Sequence, residues 1–205
     1  MNEWVSQRDF IAQRLPERQI NLIAKEEISD GLFNFLRYFL PYELLKHNKI
    51  LFHSSCVVDK SEEAYLFFGH SGAGKSTMAK LCNKGNVLGD DMNLLTIHPN
   101  VTFVESAVVG QRFYSKENFG TKYVVENAFW LSKAKKIKAT ELDEKQISRL
   151  LSSFSGLFWD QLSQEDYSKV FQLASTLKKN LGLYNLEFNI DKKVWSYVRK
   201  FSKSL

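Results

Sequence analysis

Residues 67–77, FFGHSGAGKST, combine glycines with a lysine and adjacent hydroxyl side chains in a spacing suited to holding phosphate. They satisfy the pattern G-x-x-x-x-G-K-[ST] at Gly69, Gly74, Lys75 and Ser76. Glycines let successive backbone amides converge on phosphate oxygens, and the helix that follows points its positive end at the same place. We therefore predict that the phosphates of ATP or GTP are bound by a continuous set of residues: Gly69, His70, Ser71, Gly72, Ala73, Gly74, Lys75, Ser76 and Thr77.

Two carboxylates, Asp90 and Asp91, follow a short apolar strand one helix after this loop. In such a site Lys75 reaches the β- and γ-phosphates and the Ser76 hydroxyl binds Mg²⁺. A carboxylate at the strand end can complete the coordination of Mg²⁺, and a second one can accept the proton of an attacking hydroxyl. A plain Gly-Asp-Asp turn is the alternative, but the position after a phosphate loop favours a functional pair.

The phosphate loop requires a strand before it and a helix after it, and the sequence predicts both. Strands at 50–58 and 64–68 form a hairpin around a polar turn, and a helix covers 75–83. A helical stretch at 26–47 should break or kink at Pro41, giving one helix and then a short second one, and residues 110–127 are predicted to be a loop. Further strands are predicted at 86–88, 93–97, 101–105, 128–132, 137–141 and 183–190, and helices at 143–154, at 164–180 and from 192. The fold class is therefore α/β, a P-loop nucleotide-binding domain with a mixed β-sheet flanked by helices.

Composition restricts the class of protein further. The 205 residues, 44% apolar and 25% charged, suit one globular domain, and a net charge of +5 is too small to indicate a nucleic-acid partner. Cys56 and Cys82 lack the spacing of a zinc site or a disulfide scaffold, so they are predicted to be buried free thiols. Residues 1–18 lack a signal-peptide core, and 31–45 are too interrupted to span a membrane. We expect a cytoplasmic protein.

The order of His53-Ser54-Ser55, the hairpin, FFGHSGAGKST and Gly-Asp-Asp resembles the C-terminal kinase domain of HPr kinase/phosphorylase. Phosphoenolpyruvate carboxykinases share that core and are similar in the same way. The resemblance covers about residues 50–97 and implies a kinase-type site with ATP and Mg²⁺ as cofactors. It implies that Lys75 and Ser76 serve the phosphates and the metal, that Asp90 is a metal ligand and Asp91 the catalytic base, and that His53 lies close to the base.

The chain departs from both families. Residues 105–113 read ESAVVGQRF, where HPr kinases carry a glycine-rich E-x-R-G-type signature, and the chain is short for a carboxykinase and shows no manganese-binding Lys/His set. The expected acceptor is therefore a hydroxyl, serine first, on a protein, peptide or small molecule. Arg112, Lys116 and Lys122 could contact the transferring phosphoryl group, although a solvated loop is the favoured interpretation.

The sequence thus predicts an N-terminal helical segment at 1–48 and a P-loop kinase-like domain at 49–205. The predicted function is transfer of the γ-phosphoryl group of ATP to a hydroxyl acceptor. The alternative is a nucleotide-gated regulatory module, whose partner would meet the mobile-looking loop 110–127 or the basic C-terminal helix. The expected partners are a nucleotide and the acceptor, with no nucleic acid and no membrane. The acceptor's identity, ATP versus GTP, the reverse reaction and homo-oligomer formation are left open.

Overall fold

The computed structural model describes residues 4–15, 19–24, 28–82, 86–107, 120–157 and 159–204. The helices are α1 Ile28–Leu45, α2 Lys75–Leu81, α3 Gln146–Leu151, α4 Gln164–Asn180 and α5 Lys193–Ser202. The strands are β1 Trp4–Ser6, β2 Phe10–Arg14, β3 Ile20–Ala24, β4 Lys49–Val58, β5 Ala64–Phe68, β6 Asn86–Gly89, β7 Met92–Ile97, β8 Thr102–Ser106, β9 Tyr123–Lys133, β10 Lys138–Glu141 and β11 Gly182–Phe188. In these parts of the chain no helix is long and apolar enough to cross a membrane.

A mixed sheet of eight strands carries the fold. Its order is β10-β11-β9-β5-β4-β7-β8, with β6 also paired to β4. The hairpin β4–β5 is antiparallel, as predicted, whereas β5, β9 and β11 run parallel to one another. The predicted α/β class with a mixed sheet is therefore confirmed.

Strand β5 lies at the centre of this sheet, and both of its faces are buried. Alternate residues point to opposite sides because side chains alternate along a strand. Leu66 and Phe68 pack in the core that includes Leu150 of α3 and residues of α4. Tyr65 and Phe67 pack in the second core, which includes Met78 of α2 and residues of α5. Helices thus cover both faces, and the strand that enters the phosphate loop is held from both sides.

Helix α1 runs without interruption through Pro41, so the predicted break at that position is wrong. A proline removes one backbone donor, and packing along the helix outweighs that loss. Leu40 and Leu44 pack with Leu51 and Met92, and Phe35 packs against the N-terminal strands. These contacts hold α1 against β4, the strand that carries His53.

The N-terminal segment also differs from the expectation. Residues predicted as helical include β1–β3, which form a separate antiparallel sheet. The alternate residues Phe10 and Ala12 are buried, and the Phe10 ring lies 5.6 Å from that of Phe35 on α1. This alternation has the period of a strand rather than of a helix. The proposed division of the chain after residue 48 stays a prediction.

The observed limits of two further elements, β9 and α3, differ from the predicted ones. Strand β9 begins at Tyr123, inside the predicted loop 110–127, because its first two residues pair with β8; residues 108–119 lie outside the described parts. Helix α3 ends at Leu151 rather than at 154. The chain after it pairs with β4, where the His53 amide donates to the Ser153 carbonyl at 2.7 Å.

Candidate functional site

The predicted phosphate loop connects the end of β5 to the start of α2. Gly72 and Gly74 have φ angles of 75° and 108°, which side-chain-bearing residues rarely adopt. A Cβ atom on Gly74 would lie 2.7 Å from Cζ of Phe188, at the end of β11. The loop is therefore shaped both by its own glycines and by a buried aromatic ring beneath it.

Lys75 lies inside this loop. Its Nζ donates to the carbonyl oxygens of Gly69 at 3.0 Å and of His70 at 3.2 Å. Burial lowers the pKa of Lys75, and the nearby Asp91 carboxylate opposes that shift. Lys75 and Asp91 therefore share one electrostatic environment.

Buried hydroxyl and amide groups connect the loop to the sheet. The Ser55 hydroxyl donates to the Lys75 carbonyl at 2.8 Å. The Asn93 side-chain amide donates to the Ser54 carbonyl at 2.7 Å, and the Ser54 amide donates to the Asp91 carbonyl at 3.0 Å. The donors in these bonds are buried and paired, so they hold β4, β7 and the start of α2 in one arrangement, while the buried Oδ1 of Asn93 has no hydrogen-bond partner among the described residues. Sequence reasoning did not give Asn93 a role.

Asp91 is held by basic side chains from two different elements. Its Oδ1 lies 3.1 Å from Nε2 of His53 on β4, and its Oδ2 lies 3.5 Å from Nη2 of Arg37 on α1. The hydrogen bond from His53 lowers the pKa of Asp91, with the charges of His53, Arg37 and Lys75 adding to this effect and burial opposing it. His53 and Asp91 are therefore in contact, and their catalytic roles stay predictions.

Arg37 was missed by sequence reasoning. It lies 54 residues before Asp91, outside the motif block. A signal was nevertheless present, because Arg37 is the one charged residue in the stretch GLFNFLRYFLPY, residues 31–42. A lone arginine in an apolar helix that packs on a sheet indicates a buried or functional partner.

The two neighbouring carboxylates have different environments. Asp90 is 1% exposed, whereas the Asp91 side chain is 31% exposed and turned toward His53 and Arg37. The structure shows no group of three or more His, Cys, Asp or Glu side chains suited to a metal within the described parts of the chain. A carboxylate of Asp90 and a hydroxyl of Ser76 are hard oxygen donors that fit Mg²⁺ when phosphate oxygens supply further ligands. Their roles stay predictions.

The remaining predicted residues lie at different distances from this centre. His70 and Ser71 are exposed on the loop, and Lys122 is exposed just before β9, while Arg112 and Lys116 fall outside the described residues. Cys56 and Cys82 are buried free thiols, as predicted, and burial raises the pKa of Cys82 to about 12.

Trp130 contacts the loop from β9, which sequence reasoning did not foresee. The His70 ring approaches it edge-on at 4.8 Å between centroids, and the Arg149 guanidinium lies 4.9 Å from its ring centroid. Loop and helix α3 therefore meet on one indole ring.

The fold and the site define a P-loop protein of the α/β class with a mixed sheet. A family model described as phosphoenolpyruvate carboxykinase matches residues 3–106, about half of the chain. The chain belongs to this family, which confirms the resemblance seen in the motifs.

Individual relatives show the same relation over shorter segments. A phosphoenolpyruvate carboxykinase (ATP) of Campylobacter jejuni is 38% identical over 65 residues, which are 32% of this chain and 12% of the relative. The Neurospora crassa protein of the same name is 33% identical over 92 residues, covering 43% of this chain and 14% of the relative. The matches thus span only about an eighth of these relatives' length.

One solved structure with a similar arrangement is the Hpr(Ser) kinase/phosphatase from Coxiella burnetii. It has 10% sequence identity and a TM-score of 0.41, with 75% of this chain and 93% of that chain covered.

Proposed function

We propose that this chain is an ATP-dependent phosphotransferase that moves the γ-phosphoryl group of Mg-ATP to a hydroxyl acceptor. The proposed acceptor is a serine on a protein or peptide, or a hydroxyl group of a small molecule. The observation that carries the proposal is the Asp91 carboxylate, held by His53 and Arg37 beside the loop lysine Lys75. A positioned base next to a phosphate loop is what phosphoryl transfer requires of a protein.

ATP is proposed as the nucleotide because the relatives are named for it. The loop amides and Lys75 would hold its β- and γ-phosphates, and Ser76 with Asp90 would hold Mg²⁺. When bound, Mg²⁺ neutralises phosphate charge. The structure supports this assignment through the loop conformation and through the position of Lys75 inside it.

In the proposed reaction the acceptor oxygen forms a bond to the γ-phosphorus while the bond from that phosphorus to the β–γ bridging oxygen breaks. ADP leaves with the electron pair of the broken bond. The acceptor's proton passes to Asp91, and the contact with His53 holds the Asp91 carboxylate in place for this transfer. Asp91 is the better candidate for the base, because it is partly exposed whereas Asp90 is buried.

The test is Mg²⁺-dependent ADP release from ATP by the purified protein. It is measured with and without a dialysed cell extract whose own kinases are inactivated. Release that rises with extract, and that falls by roughly 10²-fold or more in Asp91→Asn, supports the proposal. Glu144→Gln removes an exposed carboxylate away from the site and should leave release unchanged.

Other outcomes would point elsewhere. Tight ATP binding with no extract-dependent turnover would favour the nucleotide-gated regulatory module. Accumulation of phosphoenolpyruvate in the reaction would instead favour the carboxykinase activity for which the family is named. Unchanged release in Asp91→Asn would refute the assignment of the base.

A further inference from the structure

The Arg37 side chain extends from α1 to the Asp91 carboxylate of the proposed site. Leu40 and Leu44, three and seven residues further along, pack with Leu51 and Met92 of the main sheet. Residues at this spacing share one face of a helix, so Arg37 continues the face that packs on the sheet. Its guanidinium thereby reaches Asp91, which directly precedes β7.

The contact between Arg37 and Asp91 is a loose one. The distance of 3.5 Å exceeds the 2.7–2.9 Å that is typical of a charge-assisted hydrogen bond. It uses one of the five N–H donors of the guanidinium, and Nε is buried without a hydrogen-bond partner among the described residues. An arginine that only stabilises a carboxylate would normally pair with it through two short bonds. Asp91 thus holds Arg37 only loosely, and the partly exposed guanidinium can bind a further anionic group.

The position of the Arg37 guanidinium matches the path of the transferring phosphoryl group. An acceptor oxygen bound to Asp91 lies roughly 2.6–3.2 Å from the carboxylate, and the phosphorus that it attacks lies about 3–3.5 Å further. Arg37 is 3.5 Å from the same carboxylate and its side chain is 39% exposed, so it can approach the phosphoryl oxygens. Lys75 serves the loop side of the nucleotide, where its Nζ contacts the Gly69 and His70 carbonyls.

The negative charges of the two carboxylates and of the phosphoryl group favour a cation beside Asp91. A phosphoryl group moving toward Asp91 approaches one carboxylate, and a second carboxylate, that of Asp90, is adjacent in the chain. Unscreened repulsion between these groups would oppose the transfer. A guanidinium beside Asp91 offsets this repulsion and offers the planar donors that phosphate oxygens accept best.

We propose that Arg37 is a catalytic residue of the phosphotransfer, contacting the transferring phosphoryl group from the acceptor side. This inference rests on the proposed function, since it assumes that the site transfers phosphoryl groups. Nucleotide binding alone would not need Arg37, because the loop amides and Lys75 would already hold the β- and γ-phosphates.

The test compares binding of Mg-ADP with binding of Mg-ADP plus aluminium fluoride, which mimics the planar phosphoryl group in transfer. Arg37→Gln should weaken the aluminium-fluoride complex at least roughly tenfold and lower turnover by on the order of 10³-fold, while Mg-ADP affinity stays within about twofold. Arg37→Lys keeps the charge, so its affinity for the aluminium-fluoride complex and its turnover should lie between those of the wild type and Arg37→Gln. Lys46→Gln removes an exposed charge just beyond α1 and should behave as the wild type.

A second comparison separates contact with phosphoryl from orientation of Asp91. In an Asp91→Asn background, Arg37→Gln should still weaken the aluminium-fluoride complex if the contact is direct. Loss of its effect there would show that Arg37 acts only through Asp91 and would overturn the inference. Equal affinities of the wild type and Arg37→Gln for Mg-ADP with aluminium fluoride would also overturn the inference. If the glutamine variant does not fold, equal affinities of the wild type and Arg37→Lys would overturn it. Failure of the wild type to bind Mg-ADP at all would instead refute the proposed function.

Discussion

Substitution of Gly74 by alanine should destabilise the protein for two separable reasons. The first is conformational, because φ at this position is 108° and a left-handed backbone costs a side-chain-bearing residue about 1–2 kcal/mol. The second is steric, because the new Cβ would lie 2.7 Å from Cζ of Phe188. Phe188 is 3% exposed, so its ring can move only by displacing packed neighbours, and the overpacking adds about 1–3 kcal/mol. The expected total is about 2–5 kcal/mol.

Gly72 offers a matched control in the same loop. Its φ angle is 75°, but no atom lies within 4 Å of the position that a Cβ would take. Gly72→Ala should therefore show only the conformational cost of about 1–2 kcal/mol. The free energy of unfolding of both variants is measured by urea denaturation.

A third variant tests the assigned cause of the difference. Phe188→Leu replaces the ring that the Gly74→Ala methyl group would meet with a shorter side chain. The combination Gly74→Ala with Phe188→Leu should therefore cost less than the sum of the two single changes. Equal costs for Gly72→Ala and Gly74→Ala, or strict additivity with Phe188→Leu, would refute the argument that the loop is shaped by the ring beneath it.

Three further outcomes follow from the same structure. Gly156→Ala should lower the free energy of unfolding by at least about 2 kcal/mol in denaturant titration, because its φ is 74° and the methyl group would meet the α1 backbone. Ser55→Ala should cost about 1–3 kcal/mol in the same assay, since the Lys75 carbonyl loses a buried donor; a cost near zero would contradict this. The stability that Asp91 contributes is complete above the pKa of an unfolded aspartate. It should be lost as pH falls through its lower folded value, so Asp91→Asn should flatten the acid limb of stability against pH, and an unchanged limb would contradict the lowered pKa.

The phosphate loop and its flanking elements could be predicted because their signals are local. The loop pattern occupies eight consecutive residues from Gly69 to Ser76, and the strand and helix beside it have clear periodicity. The hairpin of β4 and β5 followed from two apolar runs separated by a polar turn. The pairing of His53 with Asp91 came from a resemblance in motif order, and the structure shows it at 3.1 Å.

The errors arose where packing between distant segments outweighs local preference. Pro41 predicts a helix break by its own chemistry, but the packing of Leu40 and Leu44 keeps α1 continuous. Helix α3 ends early because the following chain pairs with β4, which no local pattern encodes. The start of β9 depends on its pairing with β8, a contact that the local sequence does not encode.

The sequence by itself determined the chemical inventory of this protein: a phosphate loop, an acidic pair behind a short strand, and the α/β order of elements. Spacing along the chain is enough for these features, because neighbouring residues set backbone amides and strand ends directly. Only the tertiary structure decided that Arg37 reaches Asp91, that Phe188 lies beneath Gly74 and that Asp90 is buried while Asp91 is partly exposed. These relations join residues far apart in the chain, and they depend on how α1, β7 and β11 pack around the central strands.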